Sequence, residues 1–80
     1  MPYINKETRE ELFDRDPITP GELQYLIAML VSDYIKDKGE YDYYIMNEVM
    51  GALSGAQQEF YRKVVAPYED KKEIMNGGVY

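Results

Sequence analysis

Hydrophobic and polar residues follow one another along this chain at the three-and-four spacing of amphipathic helices. Leu23, Leu26, Ile27, Leu30, Val31 and Tyr34 form one stripe, and Ile45, Val49, Leu53, Ala56, Phe60 and Val64 form a second. Punctuation around the first stripe is specific. Thr19 supplies an N-cap, Pro20 the first helical residue and Glu22 the acid three positions after the cap, while KDKG at 36–39 supplies basic last-turn residues and a terminating glycine. The second stripe predicts a long helix three from an Asp42 cap to about residue 66, ended by Pro67, which lacks a donor and obstructs the preceding turn. A short first helix is expected from Asn5 to about Phe13, anchored by Leu12 and Phe13 and broken by DRDPITPGE, where Asp16 and Thr19 each precede a proline. A short fourth helix is expected from Pro67 to about Met75, stopped by Asn76, Gly77 and Gly78. The one β-favouring cluster, at 41–45, lies inside the helical pattern. The fold expected is therefore all-α: one domain over residues 1–80, a hairpin of helices two and three with short terminal helices, forming a small bundle completed by dimerisation.

Two features of helix three point outward. Gly51 and Gly55 lie four apart in its interior, where each costs roughly 1 kcal/mol relative to alanine. With Ala52 and Ala56 they make a smooth ridge beside the main stripe, a close-packing site for the first helix or for helix three of a second subunit. Tyr43, Asn47, Met50, Ser54, Gln57 and Tyr61 recur at four, three, four, three and four on a further face. Tyrosine and methionine favour interfaces, and seam Asn, Ser and Gln can set register, so this face is expected to be a homodimer or higher helical interface. A helix of about 25 residues would be roughly 37 Å long, against a diameter near 30 Å for a globule of this size. It would therefore overhang a lone chain.

Composition strengthens the expectation of self-association. Eighty residues sit near the low end of what folds alone, and the absence of both cysteine and histidine removes disulfides and ordinary zinc sites as supports. The net charge of -6 repels phosphate backbones, so nucleic-acid binding is not expected. No apolar run approaches the roughly 20 residues that span a bilayer. The start MPYINKETREEL has no basic-then-apolar leader. A cytoplasmic protein without membrane contact is the expectation.

Chemistry is sparse. Without histidine or cysteine, proton transfer would fall to carboxylates, lysines and tyrosines, and the acids fall into ordinary surface pairs rather than a catalytic pair. No Ca²⁺ loop or phosphate-binding glycine loop is present. No enzyme, cofactor or metal is expected. One ligand route stays open: Tyr61, Arg62, Lys63 and Tyr68 set aromatic plates beside cations, as a nucleotide-type ligand would require. Pairing of Arg62 and Lys63 with Glu59 or Glu69 is the competing expectation.

The opening MPYI, the segment PGELQYLIAMLV and the tail FYRKVVAPYEDKKEIMNGGVY together resemble a family of short uncharacterised bacterial and bacteriophage proteins with an MPYI start, a GELNY-like segment and a YRRVV-PYEDKK-NGDVY-like tail. The likeness spans nearly the whole chain, with Gln24 where Asn is usual and Gly78 where Asp is usual. It implies a stand-alone accessory protein, with a host protein as an additional partner, and it implies no activity.

Overall fold

The computed structural model describes residues 1–39 and 41–80, which contain helices and turns and no strand. Helix α1 spans Lys6–Glu11, capped by the Asn5 side chain, which accepts from the Thr8 N–H at 2.8 Å. It ends two residues earlier than expected. Leu12 and Phe13 follow in a turn, and only Leu12 is an anchor; Phe13 is exposed.

Helix α2 spans Pro20–Lys38 and starts and stops as its sequence specifies. The Thr19 hydroxyl accepts from the Glu22 N–H at 3.1 Å, and Gly39 adopts a left-handed φ of 89° while its N–H reaches the carbonyls of Ile35 and Lys36. Its covered face differs from expectation. Of the expected stripe, Leu23, Ile27, Leu30 and Tyr34 are exposed and Leu26 and Val31 are partly covered, while the remaining coverage falls on Gly21, Glu22, Tyr25, Met29, Ser32 and Ile35. The physical reason is what lies against that side. A Cβ on Gly21 would come within 3.0 Å of the Met1 carbonyl and 3.6 Å of the Ile4 side chain, so the N-terminal arm crosses α2 where only glycine leaves room. Arg9 donates from Nε to the Ile4 carbonyl and stacks its guanidinium over Tyr25, 5.0 Å from the ring centroid.

Helix α3 spans Tyr43–Phe60, capped as expected by Asp42, which accepts from the Ile45 N–H at 2.9 Å. Pro67 does not end it. A π-helical turn, Tyr61–Val65, leads directly into α4, Ala66–Asn76. In the wider turn the Ala66 N–H donates to the Tyr61 carbonyl, five residues back. That shift in bonding register falls one residue ahead of Pro67, whose ring would otherwise meet the carbonyl four residues before it. The expected third and fourth helices are thus one uninterrupted helical segment over 43–76, closed by Gly77 at φ 88° with its N–H on the Glu73 carbonyl.

The chain resolves into two compact units, Met1–Ile45 and Met46–Tyr80. In the first, Leu12, Ile35 and Ile45 form the buried apolar core, and Glu22 is buried with them. The second has no buried residue; Val49, Val65 and Ala66 alone are partly covered. Leu53, Phe60 and Val64, expected as core, are 40%, 61% and 52% exposed.

Candidate functional site

The buried Glu22 is a structural hub, and it shows what proton chemistry this chain can organise. Its carboxylate accepts from Arg15 at 2.8 and 3.3 Å and from the Ile18 N–H at 3.0 Å, while Arg15 also reaches Glu11 at 3.2 Å. The capping box therefore closes one residue further back than its motif specifies, on Ile18 instead of Thr19. Hydrogen bonding from Arg15, then from Ile18, holds the Glu22 carboxyl below its ordinary value of 4.5. The same pairing raises Arg15. A carboxylate so fully satisfied is locked in its charged form and suits structure, not proton transfer. Arg15 carries no periodic signal; it lies in the two-proline linker, and only the fold brings it to Glu22.

The face proposed as an interface lies open. Tyr43, Asn47, Met50, Ser54, Gln57 and Tyr61 are all exposed, and Ser54 is bonded only locally, accepting from Gln58 Nε2 at 3.0 Å. Gly51 and Gly55 are equally open. No atom outside the helix's own backbone and the neighbouring residues lies within 4 Å of a Cβ built on either.

Tyr61, Arg62, Lys63 and Tyr68 sit at and just beyond the π turn, and three of them are engaged locally. The Tyr61 hydroxyl donates to Glu69 at 2.7 Å, Arg62 grips Glu59 at 2.9 and 3.1 Å, and Lys72 lies over the Tyr68 ring at 5.6 Å. The hydrogen bond to Glu69, reinforced by its charge, raises the Tyr61 phenol above its ordinary value of 10.0. Its spacing is instructive. Residues eight apart diverge by about 80° on an α-helix, and the extra residue of the π turn is what brings Glu69 under Tyr61.

The same extra residue straightens the apolar surface. Setting every position beyond the turn back by about 100° places Met46, Val49, Leu53, Ala56, Phe60, Tyr68 and Met75 within about 80° of one another. Met46, Leu53, Phe60, Tyr68 and Met75 are 49%, 40%, 61%, 60% and 72% exposed. The stripe expected from spacing alone runs from Ile45 to Val64 and omits Met46, Tyr68 and Met75, because Pro67 reads as a terminus. The signal that would have extended it is the absence of any glycine, asparagine or serine just before Pro67.

Among the described residues, no group of three or more acids is placed to hold a metal ion, and no helix is long and apolar enough to cross a membrane. A family model, Domain of unknown function (DUF6899), matches residues 1–79. The chain belongs to that family. No curated protein and no solved structure matches it. Membership in DUF6899 accords with the whole-chain resemblance seen in the sequence, and it assigns no reaction, ligand or partner.

Proposed function

We propose that this protein is a non-enzymatic, cytoplasmic, helical protein–protein interaction module that associates with itself. One observation carries the reading: residues 46–76 form a helix rich in large apolar side chains, none of them buried. Helices in water owe most of their stability to packing of an apolar face, and contiguous exposed apolar surface on a soluble protein marks an interaction site. The Tyr43, Met50 and Tyr61 face adjoins that surface and supplies the aromatic and methionine side chains that interfaces favour. A phage or bacterial accessory protein that engages a host protein is compatible with such a surface.

The experiment is the mass in solution, by light scattering, of the wild type and of Met50→Glu and Ser54→Arg. A dimer or larger assembly that either substitution weakens supports the reading. A monomer at tens of micromolar rejects it.

A nucleotide-type ligand held by Tyr61, Arg62, Lys63 and Tyr68 is the second reading. It draws on the clustering of aromatic rings and cations near the π turn, and it requires exchanging the local pairs Tyr61–Glu69, Arg62–Glu59 and Lys72–Tyr68 for ligand contacts. Thermal-shift screening against nucleotides tests it, since a ligand at 100 times its dissociation constant stabilises by about 2.7 kcal/mol. Unchanged melting across the panel retires it.

A further inference from the structure

The apolar stripe that passes through the π turn has an internal order that selects its occupant. Its large residues are spaced about a centre near Phe60: Leu53 lies seven positions before Phe60 and Tyr68 eight after it, and Met46 and Met75 lie fourteen before and fifteen after. Lys72 falls within the same span, so a reversed copy sets these five large residues apolar against apolar around one intervening lysine.

Charge on the flank supports the same arrangement. Glu48, Glu59, Lys63 and Lys71 fall within about 60° of one another on one side of the stripe. The two acids precede Phe60 and the two lysines follow it. Paired antiparallel helices bring like flanks together, whereas parallel ones bring opposite flanks together. Only the antiparallel arrangement therefore sets each acid of this flank against a lysine of the same flank in the other chain. The two acids are the only charged residues of α3.

Resting on the self-association reading above, we infer that the stripe over 46–75 is covered by the same stripe of a second copy, antiparallel and centred on Phe60. Phe60 packs beside Phe60 of the partner subunit at the twofold axis, Leu53 meets Tyr68 of the partner subunit, and Met46 meets Met75 of the partner subunit. On the flank, Glu59 faces Lys63 of the partner subunit and Glu48 faces Lys71 of the partner subunit. The π turn is part of the device. Without its extra residue, Tyr68 would lie about 80° from Phe60 around the helix instead of about 20°.

Because the chain contains no cysteine, single cysteines report on this geometry without interference. Leu53→Cys, Tyr68→Cys and Phe60→Cys chains, each checked for wild-type helicity by circular dichroism, are oxidised alone and in pairwise mixtures. The expected result is a Leu53→Cys to Tyr68→Cys disulfide in the mixture, a Phe60→Cys self-linked dimer, and little self-linking of Leu53→Cys. Charge reversal gives an independent reading where a cysteine disturbs packing. Glu59→Lys and Lys63→Glu should each raise the dimer dissociation constant about fivefold, and the double variant should restore it to within about twofold. Efficient self-linking of Leu53→Cys would overturn the orientation while leaving self-association intact. A monomeric wild type that forms no intermolecular disulfide would overturn both.

Discussion

The two units use the same kinds of residue to opposite ends. In Met1–Ile45, a short arm, a six-residue helix and a proline-rich linker place three apolar side chains, Leu12, Ile35 and Ile45, out of water and hold them there with polar clamps. In Met46–Tyr80, larger apolar side chains, three aromatic rings among them, lie along a single helix and stay exposed. Burial here follows from chain reversal and not from hydrophobicity. The first unit has turns at 12–19 that return the chain onto α2, and the second has none until Gly77. What a helix without reversal cannot bury within its own unit is available for contact elsewhere.

The largest contrast is expected from truncation. Ile35→Ala should cost about 3 kcal/mol, as a buried isoleucine does, whereas Phe60→Ala should change the stability of the unassociated chain little and act through self-association. Urea denaturation at low and high protein concentration separates the two. Equal losses at both positions under dilute conditions would erase the distinction between the units.

The next effect concerns acid. The Glu22 carboxyl sits below its ordinary value of 4.5, so the folded state holds its charge more tightly than the unfolded chain. That contribution is complete above the ordinary value and is lost as pH falls through the lowered one. Glu22→Gln should therefore lower stability near neutrality and flatten its decline between about pH 5 and pH 2, read by thermal melts. A decline as steep as in the wild type would show that Glu22 does not set it.

The glycines sharpen the comparison in opposite directions. Gly21→Ala should destabilise by about 1 kcal/mol, because the new methyl meets the Met1 carbonyl at 3.0 Å and displaces the arm. Gly51→Ala and Gly55→Ala face open space and should each stabilise by about 0.5–1 kcal/mol through helix propensity. They lie outside the apolar stripe, so the oligomeric mass should not change. A loss of mass on either substitution would move the interface onto the glycine ridge.

The smallest effect belongs to Tyr61. Its phenol is raised above 10.0 by Glu69, so the stabilising contribution is present below the ordinary tyrosine value and disappears as pH rises through the raised one. Tyr61→Phe should lower stability near neutrality slightly, by the small contribution of this exposed hydrogen bond, and remove the alkaline decline. Melts between about pH 8 and pH 11 provide the check.

Much of the local architecture was legible residue by residue. Asn5, Thr19 and Asp42 each accept the N–H three residues on, and Gly39 takes the left-handed conformation that ends α2. Caps act over three or four residues, so a linear reading finds them. Pro67 was misread for a reason equally local in origin. The rule that proline ends a helix holds for α bonding, and a single five-residue turn at Ala66 evades it. The covered face of α2 was not legible, because two apolar-compatible faces run along it and the arm, Arg9 and Arg15 choose between them from distant positions. The uncovered Tyr43 to Tyr61 face was found by its spacing, and the longer Met46 to Met75 stripe was not, since its alignment depends on the π turn.

By itself, then, the order of residues determined where helices begin, where α2 stops, and that no cysteine or histidine chemistry is available, because each of these depends on neighbours within a turn or on composition alone. Tertiary structure decided which apolar residues leave water and how Glu22 is held charged, and a local change of helical bonding carries the helix past Pro67. Those outcomes depend on segments far apart in sequence meeting in space, or on a change of helical pitch, and neither is written in the spacing of hydrophobic residues.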